Sequence, residues 1–134
     1  MLVWRTRLRS VGLLLVIVTV MLPLLLASCA SGPQGTDPTS VKVELVTDPP
    51  AVQKGQSAKV RAQLTGLTPT KELKVQFDIR KPDKRSLPQL KDARLIDGQY
   101  EIEHTFDQAG TYTLYIHVYE GELHITKKRE LTVS

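Results

Sequence analysis

From Gly110 to Ile125 the chain reads GTYTLYIHVYEGELHI, and its hydrophobic and polar positions alternate. Tyr112, Leu114, Ile116 and Val118 take one parity; Thr113, Tyr115, His117 and Tyr119 take the other. A period of two marks a strand with one face on a core. Leu123 and Ile125 continue the apolar set beyond Glu120-Gly121, with His124 between them, so the stretch predicts a hairpin. A two-residue loop at Glu120-Gly121 pairs Val118 with Leu123, Ile116 with Ile125 and His117 with His124. A three-residue loop with a bulged Gly121 brings Leu123 near His117 instead. The apolar pattern favours the first register, because a one-residue slip flips every side chain to the other face.

The same rhythm runs through residues 41–134. Val41, Val43 and Leu45 alternate with Lys42 and Glu44. Ala58, Val60, Ala62 and Leu64 alternate with Lys59, Arg61 and Gln63. Leu73, Val75, Phe77 and Ile79 alternate with Lys74, Gln76, Asp78 and Arg80. Leu90 to Ile96 predicts a short edge strand, and Asp97-Gly98 a hairpin turn. Tyr100, Ile102, His104 and Phe106 share a face, and Leu131 and Val133 close the chain. Loops fall at 47–55, rich in proline, and at 80–88, rich in Lys and Arg.

About seven strands, close turns and no amphipathic helix predict an all-β fold, an immunoglobulin-like antiparallel sandwich. The run Asp107 to Tyr112 fits a tyrosine corner, where a Tyr at the start of the sixth strand bonds back to the preceding turn. Leu114 stands where the second cysteine of such domains would fall. Lys127 and Arg129 share the apolar parity, and unpaired charges in a core are costly. A bulge near them, or an overhang past the partner sheet, would relieve this.

Residues 1–28 differ in kind. Arg5, Arg7 and Arg9 precede an apolar run from Val11 to Leu26, the layout of a signal peptide. The run is shorter than the roughly 20 residues a membrane span prefers, and Pro23 interrupts it. Leu26-Ala27-Ser28-Cys29 resembles the lipobox of bacterial lipoproteins. The resemblance implies that Cys29 takes a diacylglyceryl group on its thiol, becomes the first residue after cleavage and holds the protein to the membrane by palmitate-class acyl chains. Two chains anchor stably where one does not. Cys29 is the one cysteine, so no intramolecular disulfide forms. Residues 29–40 then make an acylated tether; residues 30–40 reach roughly 36 Å when extended, and residues 41–134 form the domain.

Composition narrows the function. The formal charge of +4 includes the three leader arginines. Without them 15 Lys and Arg stand against 14 Asp and Glu, a net charge of +1. No basic stripe interleaved with aromatics is present, so nucleic acid is not an expected partner. No GxSxG, HExxH, CxxC or P-loop occurs, and no enzymatic activity is expected.

Two groupings carry candidate chemistry. His117 and His124, with Glu122 as an added oxygen ligand, suit Zn(II) or Cu(II). Cu(I) prefers the sulfur ligands that the chain lacks after Cys29. Tyr115 and Tyr119 share the outward face with His117 and suit a protein partner. His104 has core parity and is expected to be partly buried rather than a third ligand. The basic loop around Arg80, Lys81, Lys84, Arg85 and Lys91 is a solvated loop or a contact for anionic headgroups or wall polymers.

Finally, Tyr100…Thr105-Phe106…Gly110-Thr111-Tyr112…His117-Val118…Gly121…His124…Lys127-Lys128 resembles the YtkA-like domain, which is related to FixH-like proteins. The likeness is densest over Asp97–Val133; before it, the strand rhythm and Lys54-Gly55-Gln56 agree. It implies an extracytoplasmic, often lipid-anchored, immunoglobulin-like domain, with copper handling or respiratory oxidase assembly among relatives. Some relatives carry Met near the second histidine, where this chain has Ile125 and Thr126. Three functions are therefore expected in competition. They are a membrane-anchored module binding an envelope protein, a His-based Zn(II) or Cu(II) protein, and a passive spacer.

Overall fold

The computed structural model describes residues 36–134, so Cys29, the signal segment and the start of the tether lie outside the described residues. Eight strands follow in order: β1 (Lys42–Asp48), β2 (Ser57–Thr65), β3 (Lys74–Arg80), β4 (Gln89–Asp92), β5 (Arg94–Ile96), β6 (Gln99–Thr105), β7 (Gly110–Glu120) and β8 (Leu123–Val133). They form two four-stranded antiparallel sheets, β1-β2-β6-β5 facing β4-β3-β7-β8. This is the immunoglobulin-like arrangement with one strand added beside the third.

The inward set is the one the alternation picked out. Val43, Val60, Ala62, Phe77, Ile79, Leu114, Ile116 and Val118 are all buried in a single core between the sheets. Leu114, where a disulfide-bonded domain would place cysteine, is fully buried. Tyr112 forms the expected corner. Its hydroxyl accepts a hydrogen bond from the Gln108 backbone N–H at 3.1 Å and donates to Asp107 Oδ1 at 3.2 Å. The ring packs edge-on against Phe106 at 4.9 Å. Asp97 and Gly98 form the predicted two-residue turn, both at positive φ, as a type I′ loop demands.

The strand count corrects the expectation of seven. The expected edge strand at Leu90–Ile96 divides at Ala93. The part before it pairs with β3 and the part after it with β6. The Ala93 N–H donates to Val75 O at 2.8 Å, which fixes the point where the chain crosses between sheets. A small side chain suits that crossing.

The bulge expected near Lys127 and Arg129 is absent, and β7 and β8 pair without interruption from Gly110–Val133 to Glu120–Leu123. The charges are relieved at the open side of the sandwich instead. β8 and β1 are edge strands of facing sheets, and Arg129 Nε donates across to Val43 O at 2.8 Å. Lys127 Nζ donates to Pro38 O at 3.3 Å. Their stems cover apolar surface while their heads find carbonyl oxygens.

At the end where the chain enters β1, Gly66 has φ +89°, and a Cβ there would lie 2.6 Å from Ser40 O. At the opposite end Val52 forms a parallel bridge with Val133, and Lys54 N donates to Ser134 O at 2.8 Å.

Candidate functional site

The outer face of the β4-β3-β7-β8 sheet is a grid set by strand register. Its rungs are Lys74–Tyr119–His124, Gln76–His117–Thr126, Asp78–Tyr115–Lys128 and Arg80–Thr113–Glu130. Tyr115, His117, Tyr119 and His124 therefore lie on one surface. The three on β7 are partly buried and His124 is exposed.

The hairpin differs from the expected register. Its loop is Gly121-Glu122, with Glu120 opposite Leu123. Gly121 has φ +57° at the first loop position, where a II′ turn needs glycine. Moving the loop along by one residue shifts every pair by two, so the apolar parity survives and Val118 faces Ile125. His117 now faces Thr126, and His124 faces Tyr119. The histidines are diagonal neighbours rather than a direct pair.

They still meet. His117 Nδ1 lies 3.2 Å from His124 Nε2. Thr126 Oγ1 lies 2.9 Å from the first and 3.4 Å from the second. Tyr119 stacks on His124 with ring centroids 4.4 Å apart and planes 13° from parallel. Burial holds the His117 pKa below the ordinary histidine value, and the neighbouring His124 adds to this. Arg80 pushes the same way, while Asp78 opposes them. The contact needs at least one neutral ring, since two imidazoliums would set N–H donors against each other.

Beside the histidines, Asp78 is 5% exposed although it points outward. Arg80 Nη2 donates to its carboxylate at 2.9 Å, and the guanidinium sits 4.6 Å from the centre of the Tyr115 ring. Arg80 thus satisfies a buried carboxylate and clamps Tyr115 from above. Neither this clamp nor Thr126 emerged from the sequence. Asp78 and Arg80 share strand parity, which is legible, but Tyr115 joins them only through the β3–β7 register.

The metal ligands expected from sequence come together in part. With metal–nitrogen bonds of about 2.0–2.1 Å, nitrogens at this spacing subtend about 100–105°, close to tetrahedral. The spacing is that of two neighbouring ligands on one ion, and here the two nitrogens meet directly at hydrogen-bond distance with Thr126 Oγ1 beside them. Glu122 is in the exposed turn. Among the described residues no group of three His, Cys, Asp or Glu side chains is placed to hold an ion, so Glu122 does not complete the set. His104 is elsewhere, buried in the core with its ring edge-on to Phe106 at 4.6 Å.

Fold and site together define an immunoglobulin-like sandwich whose one sheet presents an aromatic and histidine-bearing outer face. The chain belongs to the YtkA-like family, whose model matches residues 36–117, more than half of the sequence. The match takes in β1 to β3, where the likeness rested on the strand rhythm and Lys54-Gly55-Gln56. It ends at His117, short of His124 and Thr126. No curated protein and no solved structure matches the chain at a significant level.

Proposed function

We propose that this protein is a non-catalytic binding module, held at the extracytoplasmic face of the cell membrane through Cys29, that contacts an envelope protein through Tyr115, Tyr119 and the histidine pair. The observation that carries this is the fixed aromatic surface: Tyr119 stacked on His124, and Tyr115 clamped under Arg80. Rings already held in place lose little conformational freedom on docking, which favours association, and tyrosine is enriched at interfaces. The test is co-purification of a defined partner from detergent-solubilised membranes. Tyr115→Ala with Tyr119→Ala should abolish it while the fold persists. Equal recovery with the double variant would overturn the proposal, and recovery of nothing by either protein would favour a spacer.

Anchoring is tested separately. Cys29→Ser should release the protein from the membrane or stall its processing. Unchanged size and retention would point to an uncleaved helix instead.

A second function is favoured by the 3.2 Å spacing of His117 Nδ1 and His124 Nε2. The pair would supply two nitrogen ligands to Zn(II) or Cu(II), and the remaining positions would fall to groups from outside the domain. Calorimetric titration with each ion checks this. Heat no greater than that of the His117→Ala, His124→Ala double variant would remove the metal from the account.

A further inference from the structure

The two most exposed large hydrophobic side chains among the described residues are Leu87, 86% exposed, and Leu90, 60% exposed. Leu87 lies in the loop from β3 into β4, and Leu90 follows it on β4. The same loop carries Lys84 and Arg85, both exposed, and neither makes an ion pair among the described residues. Its one carboxylate, Asp83, is spent on holding the loop: it accepts from Arg85 N at 3.1 Å, Ser86 N at 3.1 Å and Ser86 Oγ at 2.9 Å. Lys84 takes a positive φ of 56° in that turn. The tip is therefore a shaped turn that presents leucine just after two cations.

Next to it on the outer sheet face is a groove of about 740 Å³. Arg80, Lys81, Lys84 and Lys128 line it with Ser86. Arg80, Lys81 and Lys128 are paired with Asp78, Asp107 and Glu130, which leaves Lys84 as the unpaired cation on its rim among the described residues. An apolar tip beside the unpaired Lys84 and Arg85 matches the two layers of a membrane surface. Acyl chains receive the leucine, and anionic headgroups meet the cations. A soluble anionic polymer would engage the cations and leave Leu87 in water, so the leucine decides between the two.

We propose that the β3–β4 loop is a second membrane-contact site, inserting Leu87 at the surface of an anionic bilayer with Lys84 and Arg85 on the headgroups. The chain enters β1 at the other end of the sandwich, where Pro38 meets Lys127. Leu87, Lys84 and Arg85 lie outside the aromatic patch, although the groove beside them reaches Tyr115 and Arg80 of that patch.

The test uses the full chain reconstituted in vesicles, with tryptophan as the reporter. Trp4 is the one tryptophan of the sequence and is replaced by Phe. Leu87→Trp then reports the tip, and Gln63→Trp, exposed on the other sheet's outer face, serves as control. Vesicles carry brominated acyl chains as quenchers, in phosphatidylglycerol or in phosphatidylcholine. Quenching of the tip reporter is expected in phosphatidylglycerol and little in phosphatidylcholine, with the control dark to quencher in both. Lys84→Gln with Arg85→Gln should lower the docked-to-free ratio by about 25-fold, about fivefold for each cation. A tip reporter as unquenched as the control in phosphatidylglycerol overturns the proposal. So does equal quenching in both lipids, or displacement by soluble polyphosphate that binds the loop without any quenching by lipid.

Discussion

His117 and His124 touch across a diagonal of the β7–β8 hairpin, Nδ1 to Nε2 at 3.2 Å, while the residue directly opposite His117 is Thr126. The contact couples the two rings. Burial and the neighbouring imidazole both hold the His117 pKa down, so removing the neighbour should release part of that depression. His124→Ala is expected to raise the His117 pKa, measured by NMR titration of the ring protons. An unchanged value would mean that burial, with Arg80 and Asp78, sets it without His124.

His104 provides the fold's own response to acid. It is 9% exposed, and burial lowers its pKa to about 4, aided by Lys91 and Lys81 and opposed by Asp107. Its unfolded value is 6.5, so the unfolded chain binds the proton more readily. The stability linked to this group is fully present above about pH 6.5 and is lost as pH falls towards 4. The loss reaches up to about 3 kcal/mol. Urea unfolding at a series of pH values should show that slope, and His104→Leu should remove it.

Apolar packing at Leu114 stands in for the disulfide of related sandwiches, and the corner at Tyr112 adds a polar tie to the same strand. Tyr112→Phe keeps the buried ring but leaves the Gln108 N–H without its acceptor. A loss of about 1–2 kcal/mol is expected in urea unfolding, with the sheet signature in circular dichroism retained. A variant as stable as the parent would mean that packing alone holds the corner.

Much of this architecture could be seen in the sequence, because alternation reports which side chains face inward. Tyr112 to Val118, Val75 to Ile79 and Ala58 to Leu64 are buried as their parity required. Parity says nothing about shifts of two. Loops at Glu120-Gly121 and Gly121-Glu122 leave the same residues inside, and only the geometry of Gly121 separates them. The division at Ala93 was hidden for a related reason. Leu90 to Ile96 contains no Gly or Pro, so nothing in its composition marks a change of partner. Lys127 and Arg129 looked like misfits because the sequence does not say that β8 and β1 are both edges. The clamp of Arg80 on Asp78 and Tyr115 rests on pairing between β3 and β7, which lie far apart in the chain.

The partner-contact proposal depends on that face most of all. Photoreactive phenylalanine analogues placed in living cells at Tyr119, at Tyr115 and at Gln63 on the opposite sheet test it directly. A discrete adduct of one size from positions 119 and 115, absent from position 63, is the predicted result. Adducts of equal yield from all three positions, or from position 63 alone, would contradict it.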